Sequence, residues 1–238
     1  MRFEFLGRGS AFNYKEGNNN AFYKNQNKDL LLIDCGESNF EKIRNINLLD
    51  DIHSLFIIIT HTHSDHIGSL GSLCLFSYYA KKIKPNIVLT HDEQQNQVIK
   101  NVCMAMGLSD EHINFVTAND MLNAFSEFES FEFLESPHAP ELTCYGFALT
   151  HKQDGITYFS ADTNSSKYLE LFLKKPNLDK IYIDTSKADY PGNVHLSFKL
   201  LQEVVPYNLR NKVCCMHIDN SDFIDTIKQQ GFGFVDLV

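Results

Sequence analysis

The segment "LFIIITHTHSDHIGSL", residues 55–70, constrains this chain more than any other. Leu55 to Ile59 is a short apolar, β-branched run of the kind that forms a strand covered on both faces. Directly after it, His61, His63, Asp65 and His66 place four ligand-type residues in six positions. Imidazoles and a carboxylate at this spacing suit zinc or a similar divalent ion. Residues two apart in an extended segment point the same way, so His61 and His63 can share one ion. A turn into a helix near Ile67 then swings Asp65 and His66 toward a second. The fold has to end a buried strand at a crevice where these side chains converge.

A length of 238 residues, 43% hydrophobic and 21% charged, is ordinary for a globular protein and predicts one domain over residues 1–238. No apolar run approaches the ~20 residues of a membrane span, and "MRFEFLGRGS" lacks the pattern of a signal peptide, so a cytoplasmic protein is expected. The six cysteines (Cys35, Cys74, Cys103, Cys144, Cys214, Cys215) form no CxxC pair and are expected as buried free thiols. A net charge of −9 with only Arg2, Arg8, Arg44 and Arg210 as arginines argues against holding long nucleic acid by phosphate neutralisation. A small anion can still bind at a local positive centre such as a metal.

Periodicity predicts strands at Arg2 to Leu6, Ala21 to Lys24, Leu30 to Ile33 and Leu55 to Ile59, a helix over 67–85, a strand in "NIVLT" and a helix over 92–106 stopped by Gly107. The second half predicts strands near 128–135, 144–151 and 156–160, the last two joined by an Asp154-Gly155 turn. A helix from Ser166, a strand at Ile181 to Ile183, a helix at Leu196 to Val205, a strand at Val213 to Met216, a helix at Asp222 to Gln230 and a last strand "FGFVDL" complete the expectation.

H-x-H-x-D-H after an apolar strand resembles the metal motif of the metallo-β-lactamase superfamily. The resemblance implies an α/β fold, an αββα sandwich of two mixed sheets flanked by helices, with a dinuclear site. It extends in order through Asp34 in "LLLIDCG", His138 in "ESPHAP", Asp162 in "YFSADT" and His217 in "VCCMHID". By this matching His61, His63 and His138 hold one metal, Asp65, His66 and His217 hold the other, and Asp162 bridges. Asp34 orients a ligand histidine from behind. His53, His91, His112 and His151 lie outside these motifs and are expected to be structural or solvated.

Two divalent ions supply a nucleophile from water near neutral pH and stabilise developing charge, which implies hydrolysis. The opening "FLGRGSAFN" with "GNNNAF" resembles the ribonuclease Z-like branch, whose Gly-Ser turn lies beside the metals. "NVHLS" is similar to that branch's His-Ser-Thr motif, so His195 is expected to contact the phosphate or protonate the leaving oxygen. Asp65 serves as ligand and as the base that orients the attacking water. The transfer-RNA processing enzymes of the branch insert a long basic arm between the third histidine motif and the bridging Asp. Here His138 to Asp162 spans 24 residues, filled by two strands and a turn, which points to a small phosphodiester.

With "LLIDCGE", "THTHSDHIGSL", "SADT" and "VHLSF…VCCMHID" added, the chain resembles the anti-Pycsar phosphodiesterases, viral and bacterial enzymes that destroy cyclic mononucleotide immune signals. That resemblance implies hydrolysis of 3′,5′-cyclic nucleotides (cCMP, cUMP, cAMP, cGMP) to 5′-monophosphates, in the host cytoplasm if the protein is viral. It also implies a homodimer in which each subunit helps close the other's pocket. Zinc is the expected metal, with manganese or iron suited to the same ligands. The alternatives are a ribonuclease Z-like RNA endonuclease, another hydrolase of the same fold, and a protein that sequesters a nucleotide without cleaving it.

Overall fold

In the computed structural model, which describes residues 2–238, the apolar runs become two six-stranded mixed sheets. Each sheet is the centre of its own compact unit, one made of residues 2–7 and 18–126, the other of residues 8–17 and 127–238.

The first unit holds β1 (Glu4–Gly7), β2 (Asn20–Lys24), β3 (Asp29–Ile33), β4 (Ser54–Ile58), β5 (Asn86–Val88) and β6 (Asn114–Val116), paired in that order. β1 to β3 run antiparallel and β3 to β6 parallel. Parallel neighbours need crossovers, which the helices Asn39–Asn45, Leu70–Phe76 and Glu93–Ala105 provide. Leu30, Leu32, Leu55 and Ile57 pack with Leu73 and Ile99 from those helices. Leu31 and Ile58, which alternate with them along β3 and β4, are also fully buried, so both faces of these central strands are covered.

The second unit has the same plan. β7 (Phe128–Glu135), β8 (Tyr145–His151) and β9 (Gly155–Phe159) are antiparallel, and β9, β10 (Leu178–Asp184), β11 (Val213–Met216) and β12 (Gly233–Phe234) are parallel. Helices Lys167–Leu173, Phe198–Val204 and Ile224–Gln229 make the crossovers and cover Ile181, Ile183, Val213 and Cys215 with Leu169, Leu201 and Ile227.

Several elements differ from expectation for local reasons. The helix expected over 67–85 is divided into Ser64–Ile67, Leu70–Phe76 and a π-turn at Ser77–Lys81. At the first division the Cys35 N–H donates to the His66 carbonyl (2.6 Å) and the Ser69 N–H to the Cys35 carbonyl (3.1 Å), so residues 66–69 bond to the end of β3. The helix near Leu196 starts at Phe198 because the Ser197 hydroxyl accepts the Leu200 N–H and caps it. The last strand shrinks to two residues, and helices at Asn39–Asn45 and Ala118–Ala124 and strand β6 are additional. The helix Glu93–Ala105 matches its expected span, capped by Asp92 and followed by Gly107 at φ +82°. All six cysteines are buried and free. No helix among the described residues is long and apolar enough to cross a membrane.

Candidate metal centre

In each unit the parallel strands deliver their C-terminal ends to one edge, and there the chain turns sharply. Asp34, directly after β3, has φ +66°; Ala161, two residues after β9, has φ +54°; His217, directly after β11, has φ +52°. Side chains at an L-residue in this region are uncommon and mark positions held by their surroundings.

In the first unit, Asp34 is the hub. Its Oδ1 accepts the Thr60 N–H and its Oδ2 the Thr60 hydroxyl, both at 2.8 Å, and Oδ2 lies 2.8 Å from His66 Nδ1. An ionised carboxylate only accepts, so Nδ1 carries the proton and His66 presents its Nε2 lone pair. That Nε2 is 3.3 Å from Asp65 Oδ2. His61 Nε2 lies 3.0 Å from His63 Nδ1, and the His61 and His66 rings are 4.0 Å apart. His61, Asp65 and His66 are buried and His63 half-buried. Gln95 from the helix Glu93–Ala105 holds the Thr60 carbonyl at 3.1 Å and so fixes the exit from β4. Burial pushes the Asp34 carboxyl up, and the charge and hydrogen bond of His66 with the Thr60 donors pull it only part of the way back.

In the second unit, Asp162, Asp184, His195 and His217 bring their ligand-type atoms within 4.8 Å of one another. His217 Nε2 is 3.3 Å from Asp162 Oδ2 and its Nδ1 is 3.4 Å from Asp184 Oδ1. His138, which follows β7, has Nε2 3.6 Å from Asp162 Oδ2 and Nδ1 3.0 Å from the Val194 carbonyl. A carbonyl can only accept, so this histidine too is protonated at Nδ1 and offers Nε2. His195 sits in the turn before the helix Phe198–Val204, with Nδ1 2.7 Å from Asp184 Oδ2 and about a quarter of its side chain exposed. Burial works to lower the His195 imidazolium's pKa, but the Asp184 carboxylate overrides it by charge and hydrogen bond, and the net shift is upward.

Two loops of the second unit are fastened around His217. The Ile218 N–H donates to the Arg8 carbonyl (2.8 Å), and the Ser10 N–H and the Asn13 side-chain amide both donate to the Ile218 carbonyl (3.0 Å each). The Gly9-Ser10 turn is thus tied to the residue after His217. Asp219 accepts the Ser186 hydroxyl (2.8 Å) and the Lys187 and Ala188 N–H groups, which anchors the segment leading to His195.

The fit to a metal is a matter of donor chemistry. In each unit an imidazole nitrogen faces a carboxylate oxygen at 3.3–3.6 Å, and in the first unit two imidazoles also approach to 3.0 Å, a donor set suited to a divalent cation. The sequence motifs find every one of these residues except Asp184. Its only signal is an Asp ending an apolar strand in "IYID", the same signal that marks Asp34 in "LLLID". Of the other histidines, His151 lies 3.1 Å from Asp154, and His112 bonds to Tyr79 (2.9 Å) and Ser109, ordinary surface contacts.

The family model described as Anti-Pycsar protein Apyc1 matches residues 1–237. A protein of Paenibacillus harenae with that description is 28% identical over 239 residues, 96% of this chain and 92% of its own length. Another, of Bacillus phage BSP38, is 26% identical over 228 residues, 89% of this chain and 86% of its own. Among solved structures, the metallo-β-lactamase fold protein YhfI from Bacillus subtilis superposes with a TM-score of 0.71 at 15% identity, over 99% of this chain and 95% of that one. The fold is the metallo-β-lactamase fold that the histidine motif implies, with two mixed sheets and helices.

Proposed function

Because this chain belongs to the anti-Pycsar Apyc1 family, we propose that it is a dinuclear-metal phosphodiesterase that hydrolyses 3′,5′-cyclic mononucleotides to 5′-monophosphates and so removes an immune signal. The observation that carries this reading is the way the imidazoles are set. His66, His138, His195 and His217 each have Nδ1 facing an oxygen acceptor, which directs Nε2 to the ligand side. Such outer partners orient ligands and raise their basicity.

In this proposal His61, His63 and His138 hold one ion, Asp65, His66 and His217 the other, and Asp162 both. Asp34 keeps His66 in its tautomer. Zinc is the first choice for these donors. When bound, two such ions lower the pKa of water and stabilise charge on phosphorus oxygens. Asp65 orients the attacking water, and His195 delivers a proton to the 3′ oxygen as it leaves. The interval between His138 and Asp162 is taken up by β8, β9 and their turn, which supports a small substrate over a folded RNA. The family also supports action in the cytoplasm, that of the host if the protein is viral, as a homodimer.

The test is multiple-turnover hydrolysis of cCMP, cUMP, cAMP and cGMP by the metal-loaded protein, with His66→Ala alongside and products separated by chromatography. The expected result is 5′-monophosphate in excess of enzyme, absent in the variant. Stoichiometric retention of nucleotide without product would point to sequestration. No conversion with two metals bound would refute the substrate.

A further inference from the structure

We propose that the loops 8–17 and 187–194 carry the base-binding surface of this enzyme, where the exposed rings of Phe12, Tyr14 and Tyr190 stack on the nucleobase of the cyclic nucleotide. The proposal rests on the phosphodiesterase reading above and adds to it the means by which one site takes different bases.

Five aromatic side chains are exposed among the described residues, and three of them stand on these two loops: Phe12 at 95%, Tyr14 at 83% and Tyr190 at 58%. Single apolar residues on a surface need no explanation, but these three share an anchorage. The Ile218 carbonyl accepts the Asn13 side-chain amide and the Ser10 N–H, both at 3.0 Å. The Asp219 carboxylate accepts the Lys187 N–H at 2.9 Å and the Ala188 N–H at 3.2 Å. Both loops are thus tied to the two residues that follow His217. Phe12 and Tyr14 flank Asn13, and Tyr190 is two positions from Ala188, so each aromatic Cα lies within about 7 Å of the Cα of an anchored residue. Tyr190 is also tied to the proposed proton donor, since the Asn193 N–H donates to the Tyr190 carbonyl (3.2 Å) and Asn193 Oδ1 accepts the His195 N–H (3.1 Å).

Both loops are built to hold their shape. In the first, the Arg8 and Gly9 N–H groups donate to the Glu16 and Gly17 carbonyls (3.2 and 2.7 Å) and close the neck, while the Asn13 and Glu16 N–H groups donate to the Ser10 and Asn13 carbonyls inside it. Asn13 is buried and the aromatic residues on either side of it are exposed, so the backbone is fixed with its rings turned out. In the second, Tyr190-Pro191-Gly192-Asn193 forms a turn with Gly192 at φ +86°, the place where a type II turn needs a positive φ, and the Asn193 side-chain amide donates to the Ala188 carbonyl at 3.0 Å. An aromatic side chain has two torsions, so on a fixed loop it loses little freedom when a base covers it. Every base has a π-face, so stacking holds pyrimidines and purines alike, whereas hydrogen bonds to base edges would select among them. The loops take the base and leave the phosphate to the metal centre.

The test uses the metal-loaded protein and two substrates, cAMP and a ribose 3′,5′-cyclic phosphate with hydrogen in place of the base. Replacing Phe12, Tyr14 and Tyr190 together by Ala should lower the ratio of kcat/KM for cAMP to that for the base-less ring by roughly 10–100-fold, chiefly through KM. Replacing all three by Leu, which keeps apolar area and removes the rings, should also lower the ratio. Tyr207→Ala, at an exposed tyrosine of the turn Tyr207–Lys212, should leave it at the wild-type value. An unchanged ratio in the Ala triple, or a wild-type ratio in the Leu triple, would overturn the proposal. So would a smaller assembly in sedimentation with equal loss on both substrates, which would make the loops a contact between copies of the chain. A wild-type protein that cleaves no cyclic nucleotide would refute the functional reading instead. Calorimetric titration with AMP and with ribose 5-phosphate would then decide the loops: tighter binding of AMP that the Ala triple loses supports them, and any other result overturns them. All three positions are exposed, so the variants should fold, and Phe12→Ala alone keeps the comparison available if the triple does not.

Discussion

Gly36→Ala should damage the metal centre without touching a ligand side chain. Gly36 follows β3 by three residues, and a Cβ built there would meet the Asp65 carbonyl oxygen at 1.9 Å and its carbon at 2.5 Å, with Asn18 Cβ at 2.8 Å behind. Reaching the 3.4 Å at which ordinary contact begins requires about 1.5 Å of separation. The Cys35 N–H to His66 carbonyl bond (2.6 Å) and the Ser69 N–H to Cys35 carbonyl bond (3.1 Å) lace the two segments together, so they separate only by losing these bonds. Overpacking of about 1–3 kcal/mol plus two bonds of about 1 kcal/mol each gives about 3–5 kcal/mol. At roughly 2–4 °C per kcal/mol for a chain of this size, the melting temperature should fall by about 6–20 °C. The displaced carbonyl belongs to Asp65, and a misplacement near 1 Å is worth roughly 10²-fold in rate. Calorimetry, a metal titration and turnover at saturating metal check this together. A variant with wild-type melting, affinity and rate would refute the steric reasoning.

Two further outcomes are expected. Chelation of the metal-loaded protein should lower its melting temperature, since free metal at 100–1,000 times its dissociation constant stabilises by about 2.7–4.1 kcal/mol per ion; identical melting curves would contradict the donor assignment. The Thr117–Asp120 capping box should be sensitive to pH. The Thr117 hydroxyl and backbone N–H hold the Asp120 carboxyl below its ordinary value, and a depressed folded pKa gives stability that is present above the unfolded value and lost as pH falls through the folded one. Asp120→Asn should therefore melt below wild type at about pH 7 and together with it near pH 2, and a constant gap would refute the cap's role.

The candidate ligands were legible because each sits where an apolar run ends, as in "FIIITHTHSDH" and "VCCMHID", and buried strands are the part of a sequence that periodicity reads best. Other features hid for physical reasons. β6 is three residues long, half-buried, and carries no alternation. The helix Ala118–Ala124 begins with "TAND", a capping signal that precedes only one fully buried residue, Met121, and so has no apolar stripe to show. The break at Gly68-Ser69 is made by hydrogen bonds to Cys35, more than thirty positions away, and no local pattern records them. Asp184 was hidden for a different reason. It ends the apolar run "IYID", but no second ligand-type residue stands at close spacing to single it out.

Asp34, Ala161 and His217 turn the chain at strand ends in a conformation that glycine or asparagine would adopt with less strain. Such replacements are among the ordinary ways a protein gains stability during evolution or engineering. Under the proposed ligand assignment that route is closed at Asp34 and His217, because the side chain that strains the backbone is the one assigned to the site. Selection for a sturdier fold must therefore act elsewhere, on the packing under each sheet and on helix caps. A screen for thermostability run without a test for activity is expected to gather glycine or asparagine at these turns and return an inert protein.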